Sequence, residues 1–112
     1  MKLDIDFKKI PKYLTVNVQK GESGALIAEV SDLGVTTEAN DLNELFINVN
    51  DLIYTYFDIP KKYQDQIQFI PNITARMELV KTASEEYKKD KSEDVKLNTY
   101  YTQDLCKRIM SA

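Results

Sequence analysis

Residues 13–57, YLTVNVQKGESGALIAEVSDLGVTTEANDLNELFINVNDLIYTYF, form the stretch around which the rest of the chain is organised. Its first half alternates apolar and polar residues, which is the pattern of strands with one buried face. Turn-forming residues interrupt this alternation at 20–24 and 31–34, so the pattern predicts three consecutive antiparallel strands. The apolar residues on the buried side of the first two strands are Leu14, Val16, Val18, Leu26, Ala28 and Val30.

The second half of the stretch predicts one amphipathic helix. Asp41 precedes a periodic apolar run and Glu44 follows three residues later, which is the spacing of a capping box. Pro60 ends the helix, because proline lacks the N–H group and disfavours helical backbone in the preceding residue. The apolar stripe consists of Leu42, Leu45, Phe46, Val49, Leu52, Ile53 and Tyr56. The polar residues expected to face water are Asn43, Asn48, Asn50 and Asp51.

Together these elements predict an α+β fold, in which one helix packs on an antiparallel three-stranded sheet. A fourth strand is predicted at 67–70, where apolar and polar residues alternate again before Pro71. Alternating residues at 3–7 predict an extra strand at the N-terminus. Residues 1–71 are therefore interpreted as the core domain. Residues 72–112 are interpreted as a helical C-terminal extension that packs on the same domain or on a dimer partner.

Residues 31–45, SDLGVTTEANDLNEL, resemble the signature of the HicB-like antitoxin family. That family has an Asp-Leu-Pro-Gly turn, a short strand, and a Gly-Asp-Thr-Leu-Glu-Glu-Ala segment that opens the helix. The chain lacks the proline of the turn and carries Ala39 and Asp41 where the family has Gly and Thr. The resemblance covers about residues 13–57. The matching positions are Asp32, Leu33, Gly34, Asp41, Leu42 and Glu44.

The resemblance implies a truncated ribonuclease H-like fold, in which residues 1–71 form a β-β-β-α-β domain. The strand at 67–70 would then lie beside the first strand and run parallel to it through a right-handed crossover. The resemblance also implies a non-catalytic antitoxin that binds a small basic ribonuclease toxin and covers the toxin's active site. An acidic chain would complement such a partner. The alternative is a stand-alone, homo-oligomeric binding module with the same fold and no toxin partner.

Composition narrows the classes of partner. The chain has 112 residues and a net charge of −3, which argues against DNA binding and against binding to anionic membranes. No run of 18 apolar residues is present, so no membrane-spanning segment is expected. Cys106 is the single cysteine and cannot form an internal disulfide, which favours the cytoplasm.

Composition also argues against an enzyme. The chain has no histidine and only three glycines, so zinc sites, Cys–His nucleophiles and phosphate-binding loops are not expected. Asp32 and Asp41 are explained by a turn and a helix cap, while Glu29 and Glu38 fall on the polar face of the predicted sheet. We therefore expect no catalytic residue, cofactor or metal. An enzyme that uses carboxylates alone is a more distant alternative.

Several apolar side chains have no evident place in the predicted core and are interpreted as interface candidates. Two lie off the helix stripe, and five belong to a weakly alternating segment at 95–101 or to the short helix after it. These candidates are Ile47, Tyr54, Leu97, Tyr100, Tyr101, Leu105 and Ile109. A narrow stripe on the predicted helix at 72–89 suits packing at a domain edge or against another subunit, which favours a homo-oligomer. The apolar residues of that stripe include Ile73, Met77, Val80 and Tyr87.

Overall fold

The computed structural model describes residues 5–89 and 91–111. A 3₁₀ turn, Phe7–Lys9, precedes the sheet. The strands are β1 (Tyr13–Lys20), β2 (Leu26–Val30), β3 (Val35–Ala39), β4 (Ile67–Pro71) and β5 (Ser92–Tyr101). The helices are α1 (Leu42–Tyr56), α2 (Lys61–Gln64), α3 (Ile73–Ser84) and α4 (Gln103–Ser111).

The fold is α+β, as predicted, but the sheet has five strands in the order β3-β2-β1-β5-β4. All neighbouring strands are antiparallel. The prediction of a three-stranded sheet with a fourth strand beside the first was wrong. Strand β4 does run in the same direction as β1, but β5 lies between them and pairs with both.

Strand β5 lies between β1 and β4 because it carries two buried side chains of the core. Val95 and Leu97 are 3% and 0% exposed, and they lie opposite Val16 and Leu14 of β1. The segment after residue 71 is therefore not purely helical. The sequence signal was weak because β5 begins with the polar run Ser92–Asp94, which masks the alternation that follows.

The buried side chains of the sheet share one face, and α1 and α3 cover that face. Helix α1 begins where the sequence predicts, because the Asp41 side chain accepts a hydrogen bond of 2.8 Å from the Glu44 N–H group. Helix α3 begins in the same way, with Asn72 accepting from the Ala75 N–H group at 2.8 Å. None of the described side chains on the opposite face of the sheet is buried, so no described helix covers that face.

The predicted N-terminal strand differs from the structure where the two overlap. Residues 1–4 lie outside the described part of the chain. From Phe7 to Lys9 the backbone forms the 3₁₀ turn, which the Asp6 side chain caps by accepting from the Lys8 N–H group. The Phe7 ring packs edge-on against the rings of Tyr63 and Tyr101, so this segment covers one end of the core.

Candidate protein-binding surfaces

The outer edge of β4 is sealed by two side chains of α1. Asn50 donates its amide to the Phe69 carbonyl at 2.9 Å and accepts from the Phe69 N–H group at 2.8 Å. One helical turn later, the Tyr54 hydroxyl donates to the Ile67 carbonyl at 2.6 Å. Pro71, the last residue of β4, has no N–H group to offer. Because these edge groups already have partners or are absent, β4 is a poor template for an added strand.

Burial raises the pKa of the Tyr54 phenol, and the carboxylates of Asp51 and Asp65 raise it further. The Tyr54 hydroxyl is also 2.9 Å from the Gln64 carbonyl, so its proton lies between two backbone acceptors. The phenol therefore stays neutral in the folded chain at a pH where it would ionise in the unfolded chain.

Tyr54→Phe is expected to lower the free energy of unfolding at pH 8 by about 1–2 kcal/mol, because the variant leaves a buried carbonyl without its donor. The raised pKa adds a pH dependence. The contribution of the Tyr54 phenol to the free energy of unfolding is constant below about pH 10, the pKa of the phenol in the unfolded chain. This contribution is lost as the pH rises through the higher pKa of the phenol in the folded chain. The loss of stability above pH 10 should therefore be shallower in Tyr54→Phe than in the native chain. Urea unfolding at pH 8, 9, 10 and 11 measures both effects.

Tyr101 provides the control for this pH effect, because burial also raises the pKa of its phenol. Tyr101→Phe should likewise reduce the alkaline loss of stability, and the double variant should reduce it further. An identical pH dependence in the native chain and in Tyr54→Phe would contradict the prediction.

The outer edge of β3 is less protected than that of β4. The register places the backbone groups of Thr36 and Glu38 on the side away from β2. Asn48 of α1 donates to the Glu38 carbonyl at 3.1 Å. No strand pairs with this side of β3 within residues 5–89 and 91–111, and no hydrogen bond there engages the outward N–H groups of Thr36 and Glu38. This edge retains free donors for a partner's backbone.

The uncovered face of the sheet is acidic next to that edge. Across β5, β1, β2 and β3, the residues that lie side by side are Asp94, Asn17, Glu29 and Thr36. Glu38 lies two residues beyond Thr36 along β3, on the same face. The carboxylates of Glu29, Glu38 and Asp94 belong to exposed residues. Asn17 donates to Asp94 at 2.9 Å, which orders that carboxylate without neutralising it.

Tyrosines lie at the other end of the same face. Tyr13 and Tyr100 are 54% and 48% exposed, on β1 and β5 respectively. The ammonium group of Lys96 lies 4.1 Å from the centroid of the Tyr13 ring. This cation–π contact holds the positive charge of Lys96 against the ring. Exposed tyrosines are common at protein interfaces, because their rings bury a large area with few rotatable bonds.

The helical side of the molecule presents an apolar surface instead. Ile73, Met77 and Val80 of α3 are 79%, 62% and 55% exposed, and Ile47 of α1 is 55% exposed. A groove of about 680 Å³ runs between α1 and α3 and is floored by the end of β4. Its lining includes Phe46, Ile47, Ile70 and Val80, with Asp51 and Asp65 at one end.

The residues that match the HicB-like signature in the sequence lie in a turn, in a helix cap or against the core. The Asp32 carboxylate accepts from the Thr15 N–H group at 2.8 Å, at the end of the β1–β2 ladder. Gly34 has φ of +67°, a left-handed conformation that favours glycine in this turn. Leu33 and Leu42 pack against the core. Asp41 caps α1 through the Glu44 N–H group.

The interface candidates from the sequence separate into exposed and buried residues. Ile47 and Tyr100 are exposed, whereas Tyr101 and Ile109 are partly buried against the core. Leu97 and Leu105 are both 0% exposed, and Tyr54 is 8% exposed. Placing Tyr54 off the buried stripe was wrong, because its ring turns towards β4 to reach the Ile67 carbonyl.

Sequence reasoning missed the role of Asn50, which it placed on the solvated face of α1. No local pattern marks this asparagine, because its partner, Phe69, is 19 residues away in the sequence. Sequence reasoning also missed that Tyr13 is exposed. The alternation of β1 could have indicated it, because the neighbouring residue Leu14 is buried and successive side chains of a strand are on opposite faces.

Within the described residues, no group of three or more acidic or cysteine side chains could hold a metal ion. Cys106 is partly buried and unpaired. No helix in the described part of the chain is both long and apolar enough to cross a membrane. No family model matches the chain, and no match was found among curated proteins or solved structures.

Proposed function

We propose that this chain is a non-catalytic protein-binding domain that acts in the cytoplasm as a HicB-like antitoxin and sterically neutralises a small basic ribonuclease. The observation that supports this proposal is the uncovered acidic sheet face beside the open β3 edge. The face offers carboxylates for attraction, tyrosines for apolar contact, and backbone donors for an added strand.

The charges support a basic partner in particular. Glu29, Glu38 and Asp94 form no salt bridge in the described part of the chain. Their negative charge remains available to attract a cationic surface over several ångströms. Complementary charge of this kind mainly accelerates association and selects the orientation of the partner. A basic ribonuclease must expose cationic groups to bind RNA phosphates, and those groups would meet this face.

Purification of the tagged chain from its native cell, with mass spectrometry of bound proteins, tests the proposal. A small basic protein in stoichiometric amount is the expected result. Reversing two charges with Glu29→Lys and Glu38→Lys should weaken its binding roughly tenfold or more and reduce the salt dependence of association.

The matched control is the pair Glu78→Lys and Glu86→Lys, which makes the same change in net charge at exposed positions outside the sheet. Equal weakening by both pairs would show that only net charge matters and would reject this face as the binding surface. Recovery of the chain with no basic protein would reject the antitoxin function itself.

The second candidate is a stand-alone homo-oligomeric binding module with the same fold. The exposed apolar stripe of α3 favours it, because three large apolar side chains in one helical line rarely remain uncovered on a monomer. Recovery of the chain alone, at the mass of an oligomer, would favour this candidate.

A further inference from the structure

The apolar surface of the helical layer is an organised feature of the molecule. Ile73, Met77 and Val80 recur at spacings of four and three on α3, which places them along one side of that helix. Leu79, on the opposite side of α3, is 0% exposed. The helix therefore has two apolar sides, and its own chain buries only one of them.

The groove beside this stripe has the length of a short helix. It follows α1 from Leu42 to Tyr54, a rise of about 18 Å at 1.5 Å per residue. Helix α3 has 12 residues and is therefore about 18 Å long. A helix equal in length to α3 would match the groove from end to end.

The charges in and around the groove complement those of α3. Asp51 and Asp65 lie at one end of the groove, and Arg76 of α3 lies along its wall. None of the three forms a salt bridge among residues 5–89 and 91–111. By contrast, Lys81 of α3 has Glu78 at 3.8 Å as a partner on the same helix. The groove thus holds unneutralised carboxylates, while α3 carries an unneutralised guanidinium next to its exposed apolar stripe.

We propose that two copies of the chain associate through this layer, with the exposed stripe of α3 of each copy packed in the α1–α3 groove of the other. The arrangement has two-fold symmetry, because each copy supplies both the stripe and the groove. Arg76 of each copy then faces the carboxylate of Asp51 in the other. This dimer deepens the second candidate function, on which it rests. It does not depend on the proposed capture of a basic protein, because Glu29, Glu38 and Asp94 do not line the groove.

Sedimentation velocity of the purified full chain across about 1–200 µM tests this association. A species near twice the monomer mass of 12.9 kDa is expected. Met77→Lys should weaken the dimer roughly tenfold or more, because it places a charge in the centre of the apolar contact. Met110→Lys is the matched control, since Met110 is 87% exposed on α4 and lies outside the stripe. A native chain that stays monomeric at 200 µM, or equal weakening by both variants, would overturn the proposal.

A charge exchange tests the pairing of the two chains. Arg76→Asp and Asp51→Arg should each be folded and monomeric, because each variant sets like charges against each other at both ends of the interface. An equimolar mixture of the two variants should form a heterodimer, because every reversed charge then meets its complement. Circular dichroism checks the folding of each variant. A mixture that stays monomeric would reject this docking of α3, whether or not a basic protein binds the sheet face.

Discussion

A chain truncated after Lys91 is expected to lose its cooperative fold. Strand β5 is the fourth strand of the order β3-β2-β1-β5-β4, so its removal leaves β1 and β4 without a neighbour on their facing edges. The deletion also removes Val95, Leu97 and Leu105, which are all at most 3% exposed. Truncating one such leucine costs about 2–5 kcal/mol, and removing the whole strand costs more than the 5–15 kcal/mol that stabilises a typical domain.

Far-ultraviolet circular dichroism and urea unfolding measure this effect. The truncated chain should show no cooperative transition, and Leu97→Ala in the full chain should keep a transition that is weakened by about 2–5 kcal/mol. Met110→Lys, at an 87% exposed position of the same C-terminal region, should unfold as the native chain does. A truncated chain that unfolds cooperatively would show that residues 1–91 fold without β5 and α4, and would contradict the prediction.

Asn50→Ala is expected to lower the free energy of unfolding by about 2–4 kcal/mol. The substitution removes three hydrogen bonds, two to Phe69 and one of 2.8 Å to the Phe46 carbonyl. It leaves the N–H and C=O groups of Phe69 without partners at the edge of the sheet. The Phe69 side chain is 0% exposed, so its backbone lies where water has little access. The opened edge should also favour association between the outer edges of β4 strands in different molecules, which is visible as concentration-dependent light scattering.

Asn48→Ala supplies the control for this substitution. It removes an asparagine of the same helix with a single, exposed hydrogen bond of 3.1 Å to the Glu38 carbonyl. Because water replaces that bond, the loss should be below about 1 kcal/mol. Urea unfolding of both variants compares the two edges directly. Equal losses would contradict the sealing role of Asn50.

The outer edges of β3 and β4 thus differ in how many of their backbone groups form hydrogen bonds with side chains of α1. The helix contacts β3 through Asn48 and β4 through Asn50, so its two flanks face the two edges of a curled sheet. On β4 it satisfies both backbone groups of Phe69 and the carbonyl of Ile67, whereas on β3 it satisfies one carbonyl. A partner that binds by strand addition is therefore expected at β3.

The first three strands and α1 were predictable from the sequence, because local rules determine them. A period of two defines the strand faces, a period near 3.6 defines the helix stripe, and both caps involve residues three positions apart. The α+β class follows from these elements, since a sheet with one apolar face needs a helix to cover it. The narrow stripe of α3 was also visible in the sequence, and its packing at a domain edge or against another subunit stays a prediction.

The tertiary structure alone decided the place of β5 and the role of α1 at the β4 edge. Asn17 bonds to Asp94, 77 residues later, and Asn50 bonds to Phe69, 19 residues later. No local pattern encodes such pairings, because their free energy depends on which segments the whole chain brings together. The sequence by itself determined which residues are apolar, which cap a helix and which lie in turns. The long-range pairing of strands determined which of them remain exposed, and therefore which surfaces are available to a partner.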